Sequence, residues 1–329
     1  MIELVAGTTD TSAAARIMTT VRRWIVIEPE AIEHSRATIP MFRDWLALLD
    51  GDPVGAGSCS LNLGMEEDTA AFAVACVLDQ VRGRGVGTAL YGQLSTHARS
   101  LGKSELMTWG YEDDAGGVAF AERHGFVVVT RKPALRLVLD DCPRPTVDLP
   151  EDVVITTLAE TPELVQGVWE TASEAMPDIP YYTVPMSAGP LEEFAARSFA
   201  GPRFIPEATF VAVREGEVLG YAQLTWMSRA AGIADHAMLA VRRAWRGRGI
   251  AKALKARQIM WALDNGLTEL RTGNDERNAS ARAVNANFAY TPLPDQVGYR
   301  GPLLASESRR SATGRSRVIP EHGRNEHPA

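Results

Sequence analysis

Arg82-Gly83-Arg84-Gly85-Val86-Gly87 reads as a glycine turn that opens a helix, and the chain carries it twice. It returns as Arg246-Gly247-Arg248-Gly249-Ile250-Ala251, 164 residues later. The separation then holds without a gap. Ala89-Leu90 meets Ala253-Leu254, Gly102 meets Gly266, Glu105-Leu106 meets Glu269-Leu270, and Thr108 meets Thr272. From 82 to 106, 10 of 25 positions are identical, which two copies of one domain explain and chance does not. Gly125-Phe126 falls on Ala289-Tyr290 at the same separation, and Asp50-Gly51 falls on Glu215-Gly216 after a slip of one residue.

Around each turn the pattern predicts the same order of elements. Ser12–Trp24 and Pro162–Ala175 read as opening helices. Phe42–Leu49 turns at Asp50-Gly51-Asp52-Pro53 into Val54–Leu61, a hairpin repeated by Phe210–Arg214 and Val218–Trp226. Apolar strands, Ala71–Leu78 and Ala237–Val241, lead into the glycine turns. The helices behind them present Val86, Leu90, Leu94, Ala98 and Leu101 on one face of the first, and Ile250, Ala253, Leu254 and Trp261 on one face of the second. Short strands at Glu105–Trp109 and Glu269–Thr272 follow, then helices at 116–124 and 278–288. The fold class is mixed α/β: two tandem domains, each a central mixed sheet flanked by helices. The expected boundaries are 1–141 for the first domain, 142–151 for a proline-rich linker, 152–303 for the second domain and 304–329 for a disordered polar tail.

Composition agrees with a two-domain globular chain: 329 residues, 45% apolar and 23% charged, with a net charge of −7. The acidic balance argues against a nucleic-acid binder. Cys59, Cys76 and Cys142 are too few and too scattered for a disulfide framework or a metal site. No charged-then-apolar leader opens the chain, and no apolar run reaches the roughly 18–20 residues that span a membrane. The expectation is a cytoplasmic, metal-free protein, monomeric or homodimeric, with neither nucleic acid nor membrane as partner.

The turns suit an anion. The free N–H groups of a helix's first turn converge on one spot, the helix dipole favours negative charge there, and glycine lets a phosphate approach the backbone. Arg82, Arg84, Arg246 and Arg248 add charge. Two familiar phosphate loops do not fit. A dinucleotide fingerprint belongs on the first strand of a doubly wound unit, whereas each turn here follows a hairpin in mid-domain. Gly102-Lys103-Ser104 mimics the end of a P-loop, but His97 stands where its first glycine is required.

An apolar strand, Arg-x-x-Gly-x-Gly/Ala, a long helix, a short strand and a helix ending near Gly-Phe together resemble the GNAT superfamily of N-acetyltransferases. Both halves match, at Val77–Phe126 and Val241–Tyr290. The tandem arrangement, with Thr272-x-Asn274-x-x-x-Asn278 and Asn285, is similar to the mycothiol synthase type. The resemblance implies acetyl-CoA as cosubstrate and a small-molecule primary amine as acceptor. It implies donor binding by Val77, Leu78, Arg82, Gly83, Arg84, Gly85, Val86 and Gly87 in the first half. In the second it implies Leu239, Ala240, Val241, Arg246, Gly247, Arg248, Gly249, Ile250, Ala251, Lys252, Asn274 and Asn285. A backbone N–H near Leu239–Val241 would polarise the thioester carbonyl.

The halves differ around the expected reaction centre. Amine acetylation needs an acceptor for the amine's proton. Asp235 stands where the mycothiol-synthase-like pattern carries an acid, and its counterpart is Ala71; Asp235 also reads as a solvated carboxylate at a strand start. His236 is a second candidate base. Asn274, Asn278 and Asn285 map to Gly110, Asp114 and Ala121, and Asn278 also suits a helix N-cap. The second half is therefore expected to be catalytic, with Asp235, His236 and Asn278 at its centre and turnover depending on Gly249 more than on Gly85. The acceptor pocket is expected at Glu174, Asp178, Tyr181 and Tyr182, while Glu66, Glu67 and Asp68 read as a solvated turn. The tyrosine acid of many members is absent: Ala121 and Asn285 occupy its place. With no nucleophilic cysteine expected near either turn, the amine would attack directly in a ternary complex. Two alternatives stay open, a non-catalytic acyl-CoA-binding regulator and a protein N-acetyltransferase.

Overall fold

The computed structural model describes residues 1–23, 25–62, 65, 68–180, 185–305 and 317–319. The first half runs β1 (Ile2–Ala6), α1 (Thr11–Val21), α2 (Pro29–Thr38), β2 (Arg43–Leu49), β3 (Asp52–Ser60), β4 (Ala70–Val77), α3 (Val86–Ser100), β5 (Glu105–Tyr111), α4 (Ala115–Arg123) and β6 (Val127–Val138). The second repeats it with β7 (Val154–Thr157), α5 (Val165–Ala175), α6 (Leu191–Phe199), β8 (Phe204–Arg214), β9 (Glu217–Ser228), β10 (Ile233–Val241), α7 (Ile250–Asp264), β11 (Glu269–Gly273), α8 (Ala279–Asn285) and β12 (Thr291–Pro302). A short β13 (Arg317–Ile319) lies parallel to β1. It is the one described stretch of the polar tail beyond residue 305.

All strands form one sheet, ordered β13-β1-β2-β3-β4-β5-β12-β6-β11-β10-β9-β8-β7. The expected hairpins are present as β2–β3 and β8–β9. The glycine-turn helices are laid down by their apolar stripes. Val86, Leu90, Leu94 and Ala98 of α3 are buried in the first core, and Ile250, Leu254 and Ile259 of α7 in the second. Each such large side chain contributes about 1.5–3 kcal/mol of burial.

Three departures from the sequence reading bear on the site. Strand β10 begins at Ile233, four residues earlier than expected, because Ile233, Ala234 and Asp235 pair with Glu269, Leu270 and Arg271. Helix α8 stops at Asn285 rather than 288. The third is topological: the last strand of each half joins the other half's sheet. Strand β12 pairs with β5 (Tyr299 opposite Thr108), and β6 pairs with β11 (Leu135 opposite Thr272). Strands β6 and β12 pair with each other at the centre. Tyr299 and Leu135 are themselves 164 residues apart, so the exchange is reciprocal.

Candidate functional site

Both glycine turns have one geometry. Gly85 and Gly249 cap α3 and α7 in the left-handed region, at φ 88° and 85°, and no side chain caps either helix. That conformation favours glycine, and it leaves the first-turn N–H groups open. The first arginine of each turn is engaged within the chain. Arg82 Nε donates to Val77 O (3.3 Å) and Nη1 to Asp114 Oδ1 (2.6 Å). Arg246 Nε donates to Val241 O (3.0 Å) and Nη1 to Asp178 Oδ2 (2.7 Å). Each guanidinium ties its turn to the end of the preceding strand. Arg84 lies 3.8 Å from Asp50, Arg248 stacks on Trp245, and Lys252 is exposed in the first turn of α7.

Beneath each turn the sheet splits. Strands β4 and β5 pair only over Ala70–Phe72 with Glu105–Met107, and β10 and β11 only over Ile233–Asp235 with Glu269–Arg271. Beyond those points the strands diverge towards the turn. In the first half the split opens into a cavity of about 640 Å³. Its walls are residues 73–77 of β4, residues 108–111 of β5, the glycine turn, α4, and Tyr299 from the exchanged β12. The β4 edge facing the gap has no strand partner there, so it offers backbone donors and acceptors to an extended, amide-bearing chain.

In the second half the equivalent positions carry a hydrogen-bonded network. Lys255 Nζ on α7 donates to Asn285 Oδ1 (2.6 Å), and Asn285 Nδ2 donates to Asn274 Oδ1 (2.8 Å). The same ammonium lies 4.9 Å from the centre of the Tyr290 ring. Tyr290 Oη bonds His236 Nε2 (2.6 Å), and His236 Nδ1 bonds Gln258 Oε1 (2.7 Å). The counterparts of Lys255, Asn285, Asn274, Tyr290 and Gln258 are Tyr91, Ala121, Gly110, Phe126 and Leu94, and all five line the open first cavity. Of the two asparagines expected at a donor site, Asn285 thus accepts from a buried lysine and Asn274 accepts from Asn285. Asn278 accepts from Ala281 N (3.1 Å) as the N-cap of α8, the role Asp114 has for α4.

Burial drives the electrostatics of this network. It pushes the Lys255 ammonium down to about 7, against the pull of Asp235. It holds His236 well below its ordinary value, so the ring is neutral, and it raises Tyr290. Between about pH 7 and the ordinary lysine value of 10.5 the folded chain therefore binds fewer protons at Lys255 than the unfolded chain. Stability rises with pH across that window, and the penalty is fully present below it. Asp235, raised by burial, works in the opposite sense as pH climbs through its raised value. Lys255→Met is expected to be more stable than the parent by about 2–4 kcal/mol at pH 7 and to lose the rise between pH 7 and about 9.5. Denaturant unfolding across that range checks this; parallel curves for both proteins would contradict it.

The acidic residues expected to meet the acceptor lie elsewhere. Glu174 Oε1 accepts from Arg243 N (2.5 Å), and Asp178 binds both Arg243 and Arg246, which hold its carboxyl down to about 2. Both therefore brace the second glycine turn. Tyr181 and Tyr182, like Trp24, Glu66 and Glu67, lie outside the described residues. Asp68 is buried against Arg300 rather than solvated. A second cavity, of about 690 Å³, lies between the halves, walled by Phe72 and Val74 of β4 and by Asp235, Ala237 and Met238 of β10. Arg22 and Val74 border both cavities, so the two meet there. Sequence reasoning missed Arg22, Tyr111, Tyr299 and Lys255. Cys76 lines the first cavity, where burial pushes its thiol up to about 11, so it stays protonated.

A split sheet beneath a glycine-capped helix, present twice, invites comparison with known proteins. The model of the acetyltransferase (GNAT) family matches residues 18–126 and again 170–288. The chain belongs to the GNAT family. Among curated GNAT relatives, a mycothiol acetyltransferase of Thermomonospora curvata is 28% identical over 223 residues, 67% of this chain and 70% of that protein. A tandem GNAT protein from the clavulanic acid biosynthesis pathway superposes with a TM-score of 0.74 at 19% identity, over 93% of this chain and 100% of that one. A GCN5-related N-acetyltransferase from Sphaerobacter thermophilus gives 0.67 at 20% identity, over 92% and 96%. These solved structures share the tandem GNAT fold. Among the described residues no helix is long and apolar enough to cross a membrane.

Proposed function

We propose that this GNAT chain transfers an acetyl group from acetyl-CoA to the primary amine of a small polar acceptor, with the donor held in the first half. One observation carries the choice of half: the split beneath the first glycine turn is open, and its counterpart is spanned by the Lys255 network. In this reading the N–H groups of Gly85, Val86 and Gly87 receive the donor's phosphates. The free edge of β4 pairs with the amides of the pantetheine arm. The acceptor enters the cavity between the halves and meets the donor where Arg22 and Val74 border both spaces. Asp235, in the wall of that cavity, is the carboxylate placed for the acceptor's ammonium or its proton. Attack is direct, because a protonated Cys76 is a poor nucleophile. No step calls for a metal ion. The name of the curated relative supports a small amine-bearing acceptor over a protein one.

Incubation with radiolabelled acetyl-CoA and a panel of small amines, amino sugars included, tests the proposal. Label is expected to move to at least one amine, at a rate lowered roughly 10²–10⁴-fold in Asp235→Ala if Asp235 is the base. Absence of both transfer and acetyl-CoA binding would overturn the reading. Binding without transfer would favour a non-catalytic acyl-CoA-binding regulator, an alternative kept in view by Ala71, the uncharged first-half counterpart of Asp235.

A further inference from the structure

Arg22 stands where the two cavities meet, at the C-terminal end of α1. Its backbone is held: the N–H donates to Met18 O, and the carbonyl accepts from Ile25 N. Its side chain is half-buried, and among the described residues the guanidinium has neither a hydrogen bond nor an ion pair. The other arginines of these walls are committed. Arg82 binds Asp114, Arg123 stacks on Phe120, Arg197 donates to Ala188 O (3.0 Å) and Arg203 to Trp226 O (2.7 Å). The carboxylates of the second cavity's wall do not neutralise Arg22. Asp44 is held by Arg36 at 2.6 Å, and neither Glu28 nor Asp235 pairs with it. A guanidinium withdrawn from water without a partner is costly, and its planar fork of donors fits a carboxylate or a phosphate.

Position separates it from the donor's phosphates. Val74, which shares the junction with Arg22, lies three residues before Val77, whose carbonyl Arg82 ties to the turn. At about 3.3 Å per residue, the junction is about 10 Å back along β4 from the end that meets the turn. The second cavity also carries the opposite charge. Asp235 is in its wall, and neither of its oxygens has a hydrogen-bond partner among the described residues. Ile27, Phe42, Phe72, Phe194, Phe204 and Trp226 share that wall. A free cation and a free carboxylate in a mainly apolar space match a zwitterion with an apolar body.

We propose that Arg22 binds the carboxylate of the acceptor, and that the acceptor is an amino acid, polar at its head and apolar in its body. The inference rests on the donor lying in the first half and the acceptor between the halves. The carboxylate takes two N–H donors of the guanidinium, the ammonium faces Asp235, and the side chain packs among the phenylalanines. The amine is then held at the junction where the thioester arrives. An amino sugar offers Arg22 no anion, and an amine without a carboxylate leaves the guanidinium unpaired.

Acetyl transfer by the full chain to apolar amino acids, each beside its own carboxamide, tests this. The carboxamide keeps the amine and the side chain and removes only the negative charge. The parent is expected to favour the acid by about 100-fold in kcat/KM for at least one such pair, with most of the difference in KM for the acceptor. In Arg22→Met that preference is expected to shrink to within about threefold. Arg22→Lys, which keeps the charge and loses the fork, is expected to retain about a tenfold preference. Both members of a pair meet the same protein, so a general loss of folding cancels from the ratio. A parent that acetylates both members equally or neither, or an Arg22→Met variant that loses the same factor on both, would overturn the role of Arg22 and leave the donor site standing. Failure of the parent to bind acetyl-CoA, by calorimetry, would overturn the reading beneath it as well.

Discussion

Gly83→Val is expected to weaken acetyl-CoA binding by more than about 100-fold, while Gly247→Val leaves it within about threefold. The two positions are matched. Their φ angles are 80° and 75°, and an added Cβ meets nothing within 4 Å at either. The backbone strain of a branched residue in the left-handed region, about 1–2 kcal/mol, is therefore common to both variants. What differs is what lies beneath: an open split under Gly83 and the Lys255–Asn285–Asn274 network under Gly247. Calorimetry with acetyl-CoA reads the difference directly. This reverses the order expected from sequence, where the better-furnished second half was to carry turnover. Loss of binding in Gly247→Val alone would restore that order.

The second large effect concerns the exchanged strand. Arg300 on β12 reaches back into the first half, where Nη2 donates to Asp68 Oδ1 (2.8 Å) and Nε to Glu105 Oε2 (3.0 Å). Asp68 is only 4% exposed, so removing Arg300 strands a buried carboxylate. Arg300→Met is expected to cost about 3–5 kcal/mol. Because β12 is shared, both halves are expected to unfold in one transition. Arg144→Met, which breaks a bidentate but half-exposed pair with Asp264, is expected to be nearly neutral. Denaturant titration of the two variants checks the contrast; similar costs for both would remove Arg300 as the link between the halves.

Much of the fold was legible because the chain supplies its own comparison. The 164-residue repeat, the glycine turns and the helices behind them rest on local pattern. The exchange of β6 and β12 does not. Val127–Val138 contains Arg131, Lys132, Pro133 and Arg136, and β12 contains Pro292, Pro294, Gly298 and Gly301, so neither alternates cleanly. Their partners lie in the other half, where local pattern has no reach. Asp235 reads as a solvated carboxylate at a strand start, yet Asp235 and His236 both sit within β10, paired to β9 and, at Asp235, to β11.

The site was harder, because polar residues around an expected centre can face a ligand or one another. Asn274 and Asn285 do the second. The signal was present in the repeat: Lys255 replaces Tyr91 on the buried face of α7 in the same half where Asn285 replaces Ala121, and a buried ammonium needs such an acceptor. The open first cavity carried no comparable signal, because it depends on the divergence of β4 from β5, a tertiary feature that sequence pattern does not encode. Glu174 and Asp178 were misplaced because arginines 243 and 246 lie about 65 residues away in sequence yet meet them in space.

A crystal structure of the full chain grown with acetyl-CoA tests the central claim most directly. The account predicts one donor per chain, its phosphates on the first turn of α3 and its arm along the free edge of β4. A donor bound instead between β10 and β11, with Lys255 and Asn285 displaced, would contradict it.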